Sequence, residues 1–331
     1  MNYFVPHSDF HYTRIMLFSW ECNSEPTNLS QTNGMFFIKK LTEYINSNNA
    51  TKILVNCNNV VDIDDHFLDP IKDFLLKGKV SIHFFSTDET HNLVKYLDEH
   101  FDRDTKICVS ILKDNETKVI NLAVNENHGP DIFNFIKKSL ELERNGVKEI
   151  VKNSYTKSKK GEILSSTPLI PTGQFNASEI ISDPSKFRWL VLLLVEAIHK
   201  VVQKDKPKKY TIVASSLRGS AIAGSVKELL HFLSGPNLYI IDHIGPNHDV
   251  IEKPIFNNFS NSDYCVYIGD FLIAGTELKI TQAYCSFLGG NIKHAFVIGQ
   301  FTKQKKLWNK INLHSLVKLT DCVSDLDYKL G

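Results

Sequence analysis

The sequence predicts an α/β protein in two parts: a mixed-sheet α/β domain over residues 1–155, then a domain with a mainly parallel sheet over 156–331. Three observations carry this. Strand-like and helix-like segments alternate, the order that lays helices over a sheet. The length of 331 residues suits two domains at about 150 residues each. Twice in the second half an apolar strand runs into a loop of small residues that opens a helix, as in a parallel sheet.

In the first half, residues 52–57 (KILVNC) and 80–85 (VSIHFF) read as strands. Asp64, Asp65 and Asp69 flank a helix start whose apolar face is Phe67, Leu68, Ile71, Phe74 and Leu75. Thr87, Asp88 and Glu89 open a further helix carrying Leu93, Val94 and Leu97. Residues 107–112 and 118–123 complete the sheet, joined at Asp114 and Asn115. The lysine-rich segment 148–160 (KEIVKNSYTKSKK) has few apolar anchors and reads as a solvated connector, with phosphate contact as the alternative.

In the second half, 189–202 (WLVLLLVEAIHKVV) reads as a buried helix, followed by a basic turn at 204–209 and a strand at 210–214. Ile222, Val226, Leu229, Leu230 and Leu233 recur at helical spacing. Strands follow at 238–241, 264–268 and 292–298, with a helix faced by Ile280, Ala283, Tyr284, Phe287 and Leu288 before the last.

Hydrophobic residues make up 42% and charged residues 23%, enough for a sizeable core and incompatible with wholesale disorder. Lys and Arg total 38 against 37 Asp and Glu, a net charge of +1. That balance supplies no electrostatic footing for duplex binding, so nucleic acid is not an expected partner. The six cysteines (22, 57, 108, 265, 285 and 322) form no CxxC pair and are widely spaced, so neither a compact zinc site nor a small disulfide framework is suggested. Cys265 and Cys285 read as packing residues. The start MNYFVPHSDFHY lacks a signal-peptide pattern, and the longest strongly apolar run, 189–195, is far short of a membrane span. The expectation is a soluble cytoplasmic protein in a reducing compartment.

The chemistry concentrates in two loops. In YIGDFLIAGTE a strand ends at Ile268, Gly269 and Asp270 stand at its carboxyl end, and Ile273, Ala274, Gly275, Thr276 and Glu277 lead into a helix. Unpaired helix-start amides approached past small residues suit an anion, and Asp270 is placed to orient sugar hydroxyls. An ordinary turn capped by Thr276 or another local polar group accounts for the local pattern equally well. In YTIVASSLRGS, Ser215, Ser216, Arg218 and Gly219 form a second anion-capable loop. Two such loops on neighbouring strands suggest a ligand with two phosphate groups. Neither is a GxxxxGK[ST] or GxGxxG loop, which disfavours a P-loop ATPase or a dinucleotide fold.

Over about residues 165–300 these motifs resemble the type I phosphoribosyltransferases, nearest to orotate phosphoribosyltransferase. VYIGDFLIAGTE is similar to that family's strand, acid pair and 5′-phosphate loop. SSLRGSAIAG resembles its pyrophosphate-side loop, and TPLIPTGQFNASEIISD its hood segment. The resemblance implies a bound phosphorylated ribose or phosphoribosyl pyrophosphate. Asp270 would orient the ribose, Ala274, Gly275 and Thr276 would take the 5′-phosphate, and Ser216 and Arg218 would face the pyrophosphate. Magnesium is implied by the resemblance, with no visible ligand set. The mobile catalytic loop would be 244–261, where Lys253 is the one lysine; a solvated side chain is the alternative for it. Phe271 either packs below the loop or covers the ribose.

The chain departs from that family where Gly269 replaces the first acid, Ile273 the first loop threonine, and Asp242-His243 the usual Arg-Lys pair. Glu277 adds a negative group beside the phosphate loop. These departures keep open an enzyme transferring phosphoribose to a base and a degenerate sensing or assembly module. His243 and His248, with Asp242 and Asp249, read as solvated loop residues, with metal or acid–base use as the alternative; His294 reads as a partly buried strand residue. The stretch 53–85 is similar to a STAS-type module. It implies self-association or a protein partner for the first half.

Overall fold

A computed structural model of the chain describes residues 4–6, 11–14, 28–29, 31–56, 62–63, 66, 69, 81–86, 107–114, 117–124, 131–158, 169–231, 235–241, 263–301 and 311–330. Contacts divide it into two compact units, Met1–Glu143 and Arg144–Gly331. Apart from His66 and Asp69, the helix expected near residues 65–75 lies outside the described residues, as do the helix expected near 87–97, Asp242, His243 and the loop 244–261 with His248, Asp249 and Lys253.

The first unit holds β1 (Phe4–Pro6), β2 (His11–Arg14), β3 (Asn28–Leu29), α1 (Gln31–Asn48), β4 (Lys52–Asn56), β5 (Asp62–Ile63), β6 (Ser81–Ser86), β7 (Ile107–Asp114) and β8 (Thr117–Val124). Six of the strands form one mixed sheet ordered β1-β2-β4-β6-β8-β7. β2, β4 and β6 run parallel, and β7 and β8 form an antiparallel hairpin closing at Asp114 and Thr117. Phe37 and Leu41, one turn apart on α1, are buried with Tyr12, Ile53, Val55 and Ile82. Within this core Asn56 Nδ2 donates to the Tyr12 hydroxyl at 2.9 Å, and that hydroxyl donates to Glu143. Burying these polar groups is tolerable because each has a partner.

Segment 148–160 is not the solvated connector its lysines suggested. Helix α2 (Asp131–Asn153) runs through its first part, with Val147, Ile150 and Val151 buried at helical spacing. β9 (Tyr155–Lys157) follows and pairs antiparallel with β11 (Gly173–Phe175). Lysine stems flank the apolar positions, so composition masked a 3.6-residue period. β10 (Leu169–Pro171) pairs with β17 (Tyr328–Leu330) near the end of the chain. The division expected near residue 155 falls after α2, whereas the contact boundary falls within it.

The second unit is an α/β fold on a five-stranded, wholly parallel sheet. Helix α3 (Ala177–Ser182) is capped by Asn176, and α4 (Pro184–Asp205) by Asp183, whose carboxylate accepts from the Ser185 and Lys186 amides at 3.0 and 3.2 Å. Proline at the first helical position sacrifices no bond. α4 buries Trp189, Leu190, Leu194 and Ile198; each such side chain contributes about 1.5–3 kcal/mol. Then come β12 (Tyr210–Ala214), α5 (Leu217–His231), β13 (Asn237–Ile240), β14 (Asp263–Leu272), α6 (Thr276–Phe287), β15 (Gly290–Gln300) and β16 (Asn312–Lys318). The order across the sheet is β13-β12-β14-β15-β16. Successive strands step one way from β12 to β13 and the other way to β14, a topological switch point that opens a crevice at the carboxyl ends.

Two expectations are corrected. β14 does not end at Ile268. It continues to Leu272, because β15 offers partners for Gly269, Phe271 and Leu272 at Val297, Gly299 and Gln300. The buried face of α6 is Leu278, Thr281 and Cys285, while Phe287 is 80% exposed and Ala283 exposed; Ile280 and Tyr284 flank the core half-buried. Cys265 and Cys285 are buried thiols packed in the core of the sheet, and burial pushes that of Cys285 up to about 12. No helix among the described residues is long and apolar enough to cross a membrane.

Candidate ligand site at the sheet's switch point

Adjacent parallel strands β12 and β14, registered with Val213 opposite Tyr267, deliver both small-residue loops to one end of the sheet. After β12, Ser215 is 2% exposed and its Oγ lies 3.3 Å from the Tyr267 hydroxyl. Ser216 Oγ accepts the Gly219 amide at 3.0 Å, so this serine caps its own helix. Gly219 sits where the start of α5 presses on β14. A Cβ there would stand 2.9 Å from Ser216 Oγ, 3.3 Å from the Ile268 carbonyl oxygen and 3.6 Å from the Gly269 Cα. Only glycine admits this approach without displacing one of them. Arg218 Nε donates to Ser178 Oγ on α3 at 3.1 Å.

On β14, Asp270 Oδ1 accepts its neighbour Phe271's amide at 2.7 Å. Gly269 has a structural reason. A Cβ at this position would lie 2.9–3.0 Å from the Tyr267 ring edge and hydroxyl. Side chains two apart share a face of a strand, so Tyr267 fills the space an acid at 269 would use. Ile273 and Ala274 then lead to Gly275, which has φ 71° and begins α6 with no side-chain cap. Thr276 is therefore not the cap that an ordinary turn would have used. The first-turn amides of α6 keep the exposed positive end that attracts anions.

Charge converges here. Burial raises the Asp270 carboxyl above its ordinary value, opposed by the Phe271 amide and by Arg218. Burial pushes Glu277 up to about 7, the Asp270 charge adds to this, and Arg218 opposes it. Burial, followed by the charge of Glu277, holds the Tyr267 hydroxyl neutral well above its ordinary range. Two acids and a guanidinium thus share the crevice, with the buried, neutral Tyr267 phenol beneath them.

Beside it lies a cleft of about 340 Å³ lined by Thr156, Lys157, Ser158, Gln174, Phe175, Asn176 and Arg218. A row of rings links cleft to crevice: Tyr155 to Phe175 at 5.0 Å, then Phe175 to Phe271 at 5.3 Å between centroids. Gly173 makes room for the Tyr155 ring, which a Cβ would meet at 2.3 Å. Sequence reading missed the cleft residues Lys157, Ser158, Gln174 and Asn176; the available signal was the paired short strands YTK and GQF. Ser215 and Ser216 lie in the loop after β12 and Arg218 and Gly219 in the first turn of α5; Asp270 and Phe271 lie at the end of β14, Ile273, Ala274 and Gly275 form the loop after it, and Thr276 and Glu277 open α6. Lys253 lies outside the described residues. Among the described residues no three His, Cys, Asp or Glu side chains group to hold a metal ion.

No protein-family model and no curated protein matches the chain. Among solved structures, orotate phosphoribosyltransferase from Aeropyrum pernix is similar over 54% of this chain and 97% of its own, at 12% identity and a TM-score of 0.40. Adenine phosphoribosyltransferase from Thermoanaerobacter pseudethanolicus is similar over 51% and 98%, at 17% identity and a TM-score of 0.38. The Trypanosoma brucei adenine enzyme, in complex with AMP, pyrophosphate and ribose-5-phosphate, is similar over 54% and 81%, at 14% identity and a TM-score of 0.40.

Proposed function

We propose that the second unit binds a phosphorylated ribose, with phosphoribosyl pyrophosphate as the intended ligand, in the crevice between β12 and β14. One observation carries this: an uncapped helix start and a carboxylate, Asp270, stand next to a second small-residue loop at a parallel sheet's switch point. The α6 amides would take the 5′-phosphate, Asp270 the ribose hydroxyls, and Arg218 the pyrophosphate side. The polar cleft with Lys157 and Gln174 would take the acceptor base against Phe175. Magnesium bound through few protein ligands leans on its substrate's phosphates. That suits a crevice where Asp270 already accepts an amide and Gly269 has no carboxylate.

In the transfer, the bond from ribose C1 to the pyrophosphate oxygen breaks and its electron pair leaves with pyrophosphate. A base nitrogen's lone pair forms the new bond and its proton goes to solvent. Arg218 and helix-start amides would stabilise the departing charge. Calorimetry with phosphoribosyl pyrophosphate and magnesium tests binding, and pyrophosphate release across a panel of bases tests turnover. Absence of saturable heat up to about millimolar ligand, a Kd bound near −4 kcal/mol, would reject the reading.

A second reading, a sensing or assembly module without turnover, draws on Tyr267 filling the place of the family's first acid and on Ser216 being spent as a helix cap. Binding without pyrophosphate release, with ligand-dependent association in light scattering, would select it. The first unit, read as STAS-like, would then supply the self-associating or partner-binding surface.

A further inference from the structure

At the other end of the same sheet, four side chains from four elements close into one polar chain. Asp205, the last residue of α4, accepts from the Tyr264 hydroxyl of β14 at 2.7 Å and from His294 Nε2 of β15 at 3.0 Å. His294 Nδ1 lies 2.9 Å from His314 Nε2 on β16. The two imidazole planes are 27° apart with centroids separated by 5.2 Å. With the nitrogens at 2.9 Å, that spacing sets the rings edge to edge, the geometry of an N–H···N bond. The His314 ring also stacks on Phe296 at 4.5 Å. The side chain of His294 is 8% exposed and that of Asp205 33%.

The bonds fix the protons. His294 must carry hydrogen on Nε2 to donate to Asp205, which leaves Nδ1 as an acceptor when the ring is neutral. His314 then donates from Nε2. One added proton leaves this chain intact, because a singly charged imidazole pair still shares one hydrogen across the 2.9 Å gap and faces the Asp205 carboxylate. A second proton puts N–H against N–H, and the contact fails. The charged or titratable groups facing the pair among the described residues are Asp205 from α4 and, through Asp205, Tyr264 from β14 and Lys204 from α4.

We propose that Asp205, His294 and His314 form a proton-counting latch. It fastens the end of α4 and the edge strand β16 to the sheet at neutral pH, and releases β16 when both imidazoles are charged. Burial and the neighbouring His294 lower the pKa of His314, which sets release on the acid side of neutrality; Asp205 opposes this in part. The latch lies on neither ligand loop and does not depend on the proposed ligand.

Nitrogen NMR of the full chain tests it. Near pH 7.5, a through-bond coupling should join His294 Nδ1 to His314 Nε2; near pH 5 it should vanish. Over the same change, amides of Asn312–Lys318 should exchange about tenfold faster after correction for intrinsic rates, while those of Tyr210–Ala214 should not. In His314→Gln, which keeps a donor but takes no proton, β16 exchange should lose this pH dependence. Absence of that coupling near pH 7.5 overturns the proposal, as does β16 exchange in the wild-type chain that stays unchanged between pH 7.5 and pH 5. The wild-type measurements decide it even if the variant does not fold.

Discussion

The loops after β12 and β14 share a sequence pattern, a buried strand followed by small residues and a helix, yet they end differently. After β12 the helix closes on its own residue: Ser216 Oγ takes the Gly219 amide and the Ser216 carbonyl takes the Ser220 amide at 2.7 Å. After β14, Gly275 at φ 71° begins the helix without a cap, and Asp270, Glu277 and Arg218 gather around it. The difference is one hydroxyl at the capping position. Small residues permit an anion to approach, but a serine in the right place uses up a donor the anion would need. The loop after β14 is therefore the stronger phosphate candidate and the loop after β12 its supporting wall.

The harshest way to break the comparison is to part the loops. Gly219→Val should cost about 1–3 kcal/mol or more through overpacking against Ser216 and the Ile268 carbonyl, read as a lowered urea midpoint. An unchanged midpoint would mean that the loops are not pressed together. Gly275→Ala should cost about 1–2 kcal/mol, because its φ of 71° lies in the left-handed region; denaturant titration again reads it. Ser216→Ala should cost about 1 kcal/mol of cap stability. If the first loop is only a wall, this change should leave affinity for inorganic phosphate within about twofold, since an additional 1.4 kcal/mol would be tenfold.

A pH-dependent effect sharpens the loop after β14. Glu277 is raised from 4.5 to about 7 in the folded chain. A carboxyl raised on folding contributes its stability fully below the unfolded value and loses it as pH climbs through the folded one. Glu277→Gln and the parent should melt together below about pH 4.5, and the variant should melt higher above about pH 7. Superimposable melting curves at both ends would show that Glu277 does not feel the crevice.

Local patterns exposed much of this in advance. Alternating apolar runs located β4, β6, β12 and β15, and the period of Ile222, Val226 and Leu229 located α5. The pairing of two small-residue loops on parallel strands pointed to one sheet end. What escaped was set by partners distant in sequence. β14 runs on to Leu272 because β15 is there to bond it. β9 exists because Gly173–Phe175 lies alongside. The cleft residues Lys157 and Gln174 carry no signal until those strands pair.

The sequence by itself determined the α/β character and the glycine at 275, because propensity and backbone freedom are properties of a few neighbouring residues. Only the tertiary structure decided that Tyr267 stands in for an acid at 269, that Ser216 is spent on its own helix while α6 stays open, and that Asp205 meets His294 and His314. Each of these is a distance of about 3 Å, either between residues far apart in the chain or between neighbours whose side chains could equally have turned outward. Hydrogen bonds and close packing act only at that range.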